Sequence, residues 1–347
     1  MKNFIFICFI LSILFKTGNV LSDNNIFNVN NIKINAENSK NKEKLVNRAF
    51  QEGFNKLIKR LLLEDDYKKI VNINLNEIKN FISYYQILNP EKKDKQQRNT
   101  TVNIFFDKDR LHKFFYSKNI LYSDIINTEV ILFPLLKKDN QYFIYSGNHF
   151  YENWNSLEID NLIQYTLPVE NIENIQMINS NKENIYKLDI SNFFKEYENS
   201  NIVFAYIDID DNEAEIYLNT KIEGKKINKR LLIKKKNLNS KNFNEKIISQ
   251  TNGLIKNLIK SQNLIDVRTP SFLNVKITLN RKNRLIEFDN RVKNIDLIDN
   301  YYVQQLNKDY VLVKIKYLGK IDKIINKLKN QRINLIMTDG QWSLNII

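Results

Sequence analysis

The sequence predicts an α+β protein of two to three small domains, with antiparallel sheets carrying packed helices and a last domain of ferredoxin-like βαββαβ order. Three observations carry this prediction. Stretches that alternate apolar and polar residues are interleaved with stretches whose apolar residues recur at helical spacing. Residues 272–347 run strand, helix, strand, strand, helix, strand, the split-βαβ plan. The chain has 347 residues, 43% of them hydrophobic, which is more than one small core absorbs.

The first element is a leader. Met-Lys-Asn is followed by the apolar run Phe4–Phe15 and then by KTGNVLS, with Val20 and Ser22 at the −3 and −1 positions. This is the secretory pattern, and it predicts residues 1–22 as a signal peptide cut before Asp23 and a periplasmic destination. Twelve helical residues span about 18 Å, short of the ~30 Å hydrocarbon core, so a cleaved signal is expected rather than an anchor. The single cysteine, Cys8, lies inside the apolar run. The mature chain therefore has no thiol, and the two histidines alone make no Cys/His zinc site.

Three domains are expected after the leader. In the first (23–125), a strand over 27–36 changes phase, with Phe27 and Val29 followed by Ile32, Ile34 and Ala36. Val46, Ala49, Phe50, Phe54, Leu57, Ile58, Leu61 and Leu62 form the apolar stripe of a helix over 41–63. A short helix over 76–81 precedes strands 82–89 and 100–107, which flank the polar loop PEKKDKQQRN. A helix over 108–119 turns Leu111, Phe114 and Phe115 inward and carries His112 on its charged side.

The second domain (126–265) opens with strands 128–136 and 141–147, then a helix over 189–197. A meander of strands 201–209, 213–222 and 225–235 leads to an amphipathic helix over 244–264. The linker DVRTPS (266–271) follows, and Pro270 disfavours helix at Thr269. In the third domain (271–347), strand 272–279 precedes a helix over 283–294 with Leu285, Ile286 and Val292 inward. Strands 295–306 and 309–318 turn at Asn307-Lys308, and a helix over 320–331 leads to a hairpin on Asp339-Gly340. This domain is expected to fold alone, with both helices on one face of its sheet.

Charge must be read through composition. The net charge is +14, but the chain has 55 Asn, 50 Ile, 4 Ala, 43 Lys and 10 Arg, the bias of an AT-rich genome. Lysine is then the default solvated residue. Arginine clustered with aromatics, the usual mark of a nucleic-acid groove, is missing, so no nucleic-acid partner is expected. Seven glycines and no glycine-rich phosphate motif predict no nucleotide cofactor.

Several residues could carry chemistry. Asp208, Asp210, Asp211, Glu213 and Glu215 alternate like ligands of a hard cation. They lack the glycine and the spaced bidentate glutamate of a calcium loop, so a solvated hairpin turn is expected. His112 and His149 have no nucleophile pattern near them, and His149 sits in a Gly-Asn-His-Phe turn. Phe150, Tyr151 and Trp154 form an aromatic cluster, read as a core anchor rather than a binding surface. No catalytic, metal or cofactor residue is assigned, and an enzyme is not expected.

A resemblance adds to this reading. The run VILFPLL with Pro134, then QYFIYSGNHFYENW ending in Trp154, then TLPVENIEN with Pro168, Glu170 and Glu173, resembles the midsection of the secreted bacterial DUF 2066 family. NRAFQEGFNKLIKRLL and VNIFFD are similar as well, so the likeness spans much of residues 27–260. Val169 and Glu170 stand where glycine and aspartate would be expected after Leu-Pro. The resemblance implies an exported envelope protein and transfers no catalytic residues. The expected function is a non-catalytic interaction or assembly module with protein partners in the cell envelope. The alternatives are a carboxylate-dependent hydrolase and a basic surface protein binding anionic glycan or lipid.

Overall fold

A computed structural model describes residues 25–35, 42–88, 99–156, 162–197, 199–279, 284–338 and 340–347. The expected leader and most of the 82–107 hairpin loop lie outside them. Along the chain come β1 (Asn28–Asn35), α1 (Lys42–Leu61), α2 (Glu64–Ile70), α3 (Leu75–Asn80), β2 (Ile82–Leu88), β3 (Asn99–Phe106) and α4 (Lys108–Lys118). Next are β4 (Tyr122–Ser123), β5 (Thr128–Lys138), β6 (Gln141–Phe143), α5 (His149–Asn153), β7 (Ile163–Thr166), α6 (Ile172–Ser180) and α7 (Ile190–Phe193). β8 (Asn201–Ile209), β9 (Glu213–Ile222), β10 (Lys225–Lys234), α8 (Ser240–Gln262) and β11 (Leu264–Ile265) follow. The last are β12 (Ser271–Thr278), α9 (Arg284–Val292), β13 (Ile298–Leu306), β14 (Tyr310–Tyr317), α10 (Ile321–Asn330), β15 (Ile333–Thr338) and β16 (Gln341–Ile346). The fold is α+β.

These elements form two compact units. The first holds the described residues up to Lys59, Lys69–Ile120 and Asp266–Ile347. Its smaller sheet has the antiparallel order β1-β3-β2. The phase change expected in β1 is a bulge between Val29 and Ile32, with Asn31 at φ 58° donating its N–H to Asn103 Oδ1 at 2.8 Å. Gly53 brings α1 close to this sheet. A Cβ there would stand 2.6 Å from Ile104 Cδ1 and 2.8 Å from Ile32 Cδ1.

The larger sheet of this unit corrects the ferredoxin-like expectation. Its order is β13-β14-β12-β16-β15, five strands rather than four. A βαββαβ plan would seat β15 beside β12. The tight hairpin instead folds β16 back into that slot, parallel to β12, with Val275 opposite Trp342 and Ile277 opposite Leu344. Burying Leu344 beside Ile277 holds it there, and β15 moves to the rim. Leu273, Val275, Ile277, Val311, Val313 and Ile315 are buried while Phe272, Asn274 and Thr278 are exposed, so only one face is covered. α9 contributes Phe288 and Val292 to that core, and α10 contributes Ile324 and Leu328. Ile286, expected inward, is exposed, and Phe288 packs edge-on against Tyr301 instead. Lys108 Nζ ties α4 to the carbonyls of Asp296 and Ile298 at 3.4 Å each.

The second unit comprises Arg60–Lys68 and Leu121–Ile265. Its six-stranded sheet has the order β10-β9-β8-β5-β6, with β7 also on β5. The meander β8-β9-β10 is antiparallel as expected, but β5 pairs parallel with both β7 and β8, so the sheet is mixed. Both central strands are buried on two faces, which explains why they read as continuous apolar runs. Val130, Leu132, Val203 and Ala205 meet Trp154 and the Phe243–Ile259 stripe of α8. Ile131, Phe133, Ile202 and Phe204 meet Ile178, Ile185, Phe193 and Phe194. The buried Lys260 donates from Nζ to the Leu62 carbonyl at 2.8 Å, satisfying a helix-end acceptor.

Pro134 sits inside β5, a central strand, where proline is normally excluded. The pairing explains it. β7 covers β5 only through Ile131 and β6 only from Leu136, so residues between them face no strand on that side. Within a strand the N and C=O of one residue point the same way, so the missing N–H of Pro134 faces this gap. Asn148, fully buried, fills it: Nδ2 donates to the carbonyls of Pro134 at 2.7 Å, Phe143 at 3.0 Å and Ile144 at 3.1 Å. Its Oδ1 accepts from the N–H groups of Phe150 and Tyr151 at the start of α5. The strand expected over 141–147 therefore stops at Phe143.

Asn148→Asp should destabilise this unit as much as Asn148→Ala, although it is nearly isosteric. The new carboxylate keeps the cap but faces three carbonyls with no donor, a cost of about 3 kcal/mol. Urea unfolding followed by Trp154 fluorescence in a Trp342→Phe background measures it.

Candidate functional site

The acidic cluster is dispersed by its pairings. Asp208 Oδ2 accepts from Lys137 Nζ at 2.8 Å and from the Tyr206 hydroxyl at 3.2 Å. That bond with Asp208 is the main cause holding the Lys137 ammonium above its ordinary pKa. Asp210 caps the turn, accepting from the N–H groups of Asn212 at 2.9 Å and Glu213 at 2.8 Å, and these bonds lower its pKa. Glu215 pairs with Arg230. The residues between β8 and β9 form the expected hairpin turn, with Ala214, Ile216 and Leu218 buried opposite the half-exposed Glu213 and Glu215. Among the described residues no three His, Cys, Asp or Glu side chains come together as a metal site.

His112 departs from expectation. It is 8% exposed rather than on the charged side of its helix, with its ring edge-on to Phe27 at 5.5 Å. Burial pushes its pKa down to about 4, the nearby Lys108 ammonium adds to this, and Asp299 opposes both. The imidazole borders a cavity of about 240 Å³ with Lys113, Tyr116, Val267, Pro270, Asp299, Lys316 and Leu318. Lys316 and Asp299 pair across it at 2.7 Å. The arrangement suits packing better than catalysis. Its only carboxylate is committed to a lysine, and an imidazole of such low pKa is a poor base near neutrality.

His149 begins α5, its Nδ1 lying 3.4 Å from Asn153 Nδ2. Trp154 is fully buried, edge-on to Tyr165 at 6.0 Å, so the aromatic cluster anchors a core as expected. Tyr151 reaches from the cluster to the Pro168 carbonyl at 2.8 Å.

The accessible backbone of the sheets lies at their edges, and most of the long edges are protected. β1 and β2 flank their sheet, and each carries an extra residue relative to β3. β13 carries two, between Ile298 and Asn300 and between Val303 and Gln305. Bulges of this kind spoil an edge as a template for another strand. β10 is regular but bears Lys225, Lys226, Lys229, Arg230 and Lys234, the charge form of the same protection. β15 has neither device. Its six pairs with β16 run without interruption, and INLIMT contains no charge and no proline. Ile336 is 53% exposed and Met337 54%.

The described residues thus define an α+β protein in which one sheet edge, β15, carries neither a bulge nor a charge. No protein-family model, curated protein or solved structure matches the chain.

A pH measurement tests the buried histidine. The His112 pKa of about 4 lies below the ~6.5 of an unfolded chain, so between these values only the unfolded chain takes up the proton. The stability it contributes is complete above pH ~6.5 and declines as pH falls through 4, by on the order of 3 kcal/mol. His112→Phe, which keeps an aromatic ring beside Phe27, should flatten the stability profile across that window in urea titrations.

Proposed function

We propose that the chain is an exported cell-envelope protein, of the kind the DUF 2066 resemblance implies, that works as a non-catalytic assembly module by accepting a strand at a sheet edge. The observation that supports this reading most directly is the regular, uncharged and exposed edge of β15 in a protein that bulges or charges its other long edges. Export rests on the charge-apolar-small order of residues 1–22. Among the described residues no helix is long and apolar enough to cross a membrane. The hydrolase alternative needs two facing acids, and Asp208 and Glu215 are each held by a cation.

Two measurements test it. Intact mass of protein recovered from the envelope should be about 2.5 kilodaltons below that of the precursor, with Asp23 first; Met1 retained on the recovered protein would count against export. Envelope extracts separated by native sizing should carry the chain in an assembly larger than one mature chain, which is itself lighter than the 41.4 kDa of the full sequence. Backbone pairing of apolar strands is not screened, so that assembly should persist at about 1 M salt, where charge interactions reach only ~3 Å. A species of one chain's mass under all conditions would remove the assembly reading.

A further inference from the structure

We infer that β15 pairs antiparallel with β15 of a second copy of this chain, about a two-fold axis at Ile336. The inference rests on the assembly reading and names its occupant. Strand neutrality is the first argument. β15 offers no counter-charge to a charged peptide, whereas a second copy brings an equally neutral strand.

Register is the second argument. An axis normal to the sheet keeps the helix-covered face on one side in both copies, so opposed residues must share a face. Leu335 lies opposite the buried Leu344 and so shares the covered face, as does Met337; Ile336 lies on the uncovered one. Centring the axis on Ile336 sets Ile336 against itself and Leu335 against Met337 of the second copy. Apolar surface then meets apolar surface on both faces, covering the exposed Ile336 and Met337. Centring it on Leu335 would set the polar Asn334 against Ile336. The self-complementary register is therefore the one on Ile336, and it joins the two five-stranded sheets edge to edge.

Sedimentation velocity of the purified protein between about 1 and about 100 μM tests this, a range that spans ordinary dimer affinities. The expected result is a shift from one-chain to two-chain mass. Ile336→Lys sets two ammonium groups face to face at the axis and should weaken association roughly tenfold or more. Ile286→Lys, at an equally exposed site on α9, should leave it unchanged. Ile336→Cys in a Cys8→Ser background should cross-link two copies under mild oxidation. Opposed Cα atoms are ~4.5–5.5 Å apart, within disulfide reach. This cross-link decides the matter if the lysine variant fails to fold. A one-chain mass at every concentration, undiminished association of Ile336→Lys, or Ile286→Cys cross-linking as readily as Ile336→Cys overturns the proposal. A single copy bound through β15 to a different envelope protein overturns the second-copy assignment while leaving the assembly reading standing.

Discussion

The second unit depends on one buried amide. β5 is the central strand of its sheet, yet its neighbours on one side, β7 and β6, leave its middle unpaired by any strand. A side chain must supply what a strand would have supplied. Asn148 brings two amide hydrogens for those carbonyls and an oxygen for the helix start, where a serine hydroxyl would bring only one donor. Pro134 fits this arrangement because the gap asks for an acceptor and no donor there. From that point the chain can leave β6, begin α5 and deliver Phe150 and Trp154 to the core beneath α8.

The first unit is organised by which strand reaches the centre of its larger sheet. β16 displaces β15 from the neighbourhood of β12, so the last hairpin is inverted relative to a four-stranded βαββαβ sheet. The helices keep their expected face, since alternation within β12 and β14 leaves only one apolar side. The inversion instead changes what the sheet shows at its rim. A neutral strand becomes the outermost one, a rim set by topology rather than by an added loop or groove.

Much of this was legible in the sequence, for physical reasons. The phase change at Ile32 marked a bulge because one extra residue in a strand flips the alternation. The runs of β5 and β8 read as strands, but a continuous apolar run has no period, so it could not reveal the parallel pairing. β7 and α6 leave little trace in the sequence, because four residues carry little pattern and Ile172, at the start of α6, is exposed. Lys113 points to solvent at this part of α4, whereas His112 stands three residues before the buried Phe115 and shares part of its face. The neutrality of INLIMT was visible throughout. Its place at a rim was not, because alternation alone cannot decide which strand of a hairpin turns inward.

The asparagine surplus has a consequence for the unfolded chain. Asn31, Asn119, Asn127 and Asn140 all adopt positive φ, positions that proteins richer in glycine commonly give to glycine. Each pays about 1 kcal/mol in the native state for carrying a side chain there. Each also denies the denatured ensemble the conformational latitude of a glycine, which returns about 0.4–1 kcal/mol. The two nearly cancel. A chain poor in glycine can thus build left-handed turns from amides at little net cost, and it has less disorder to lose when it folds.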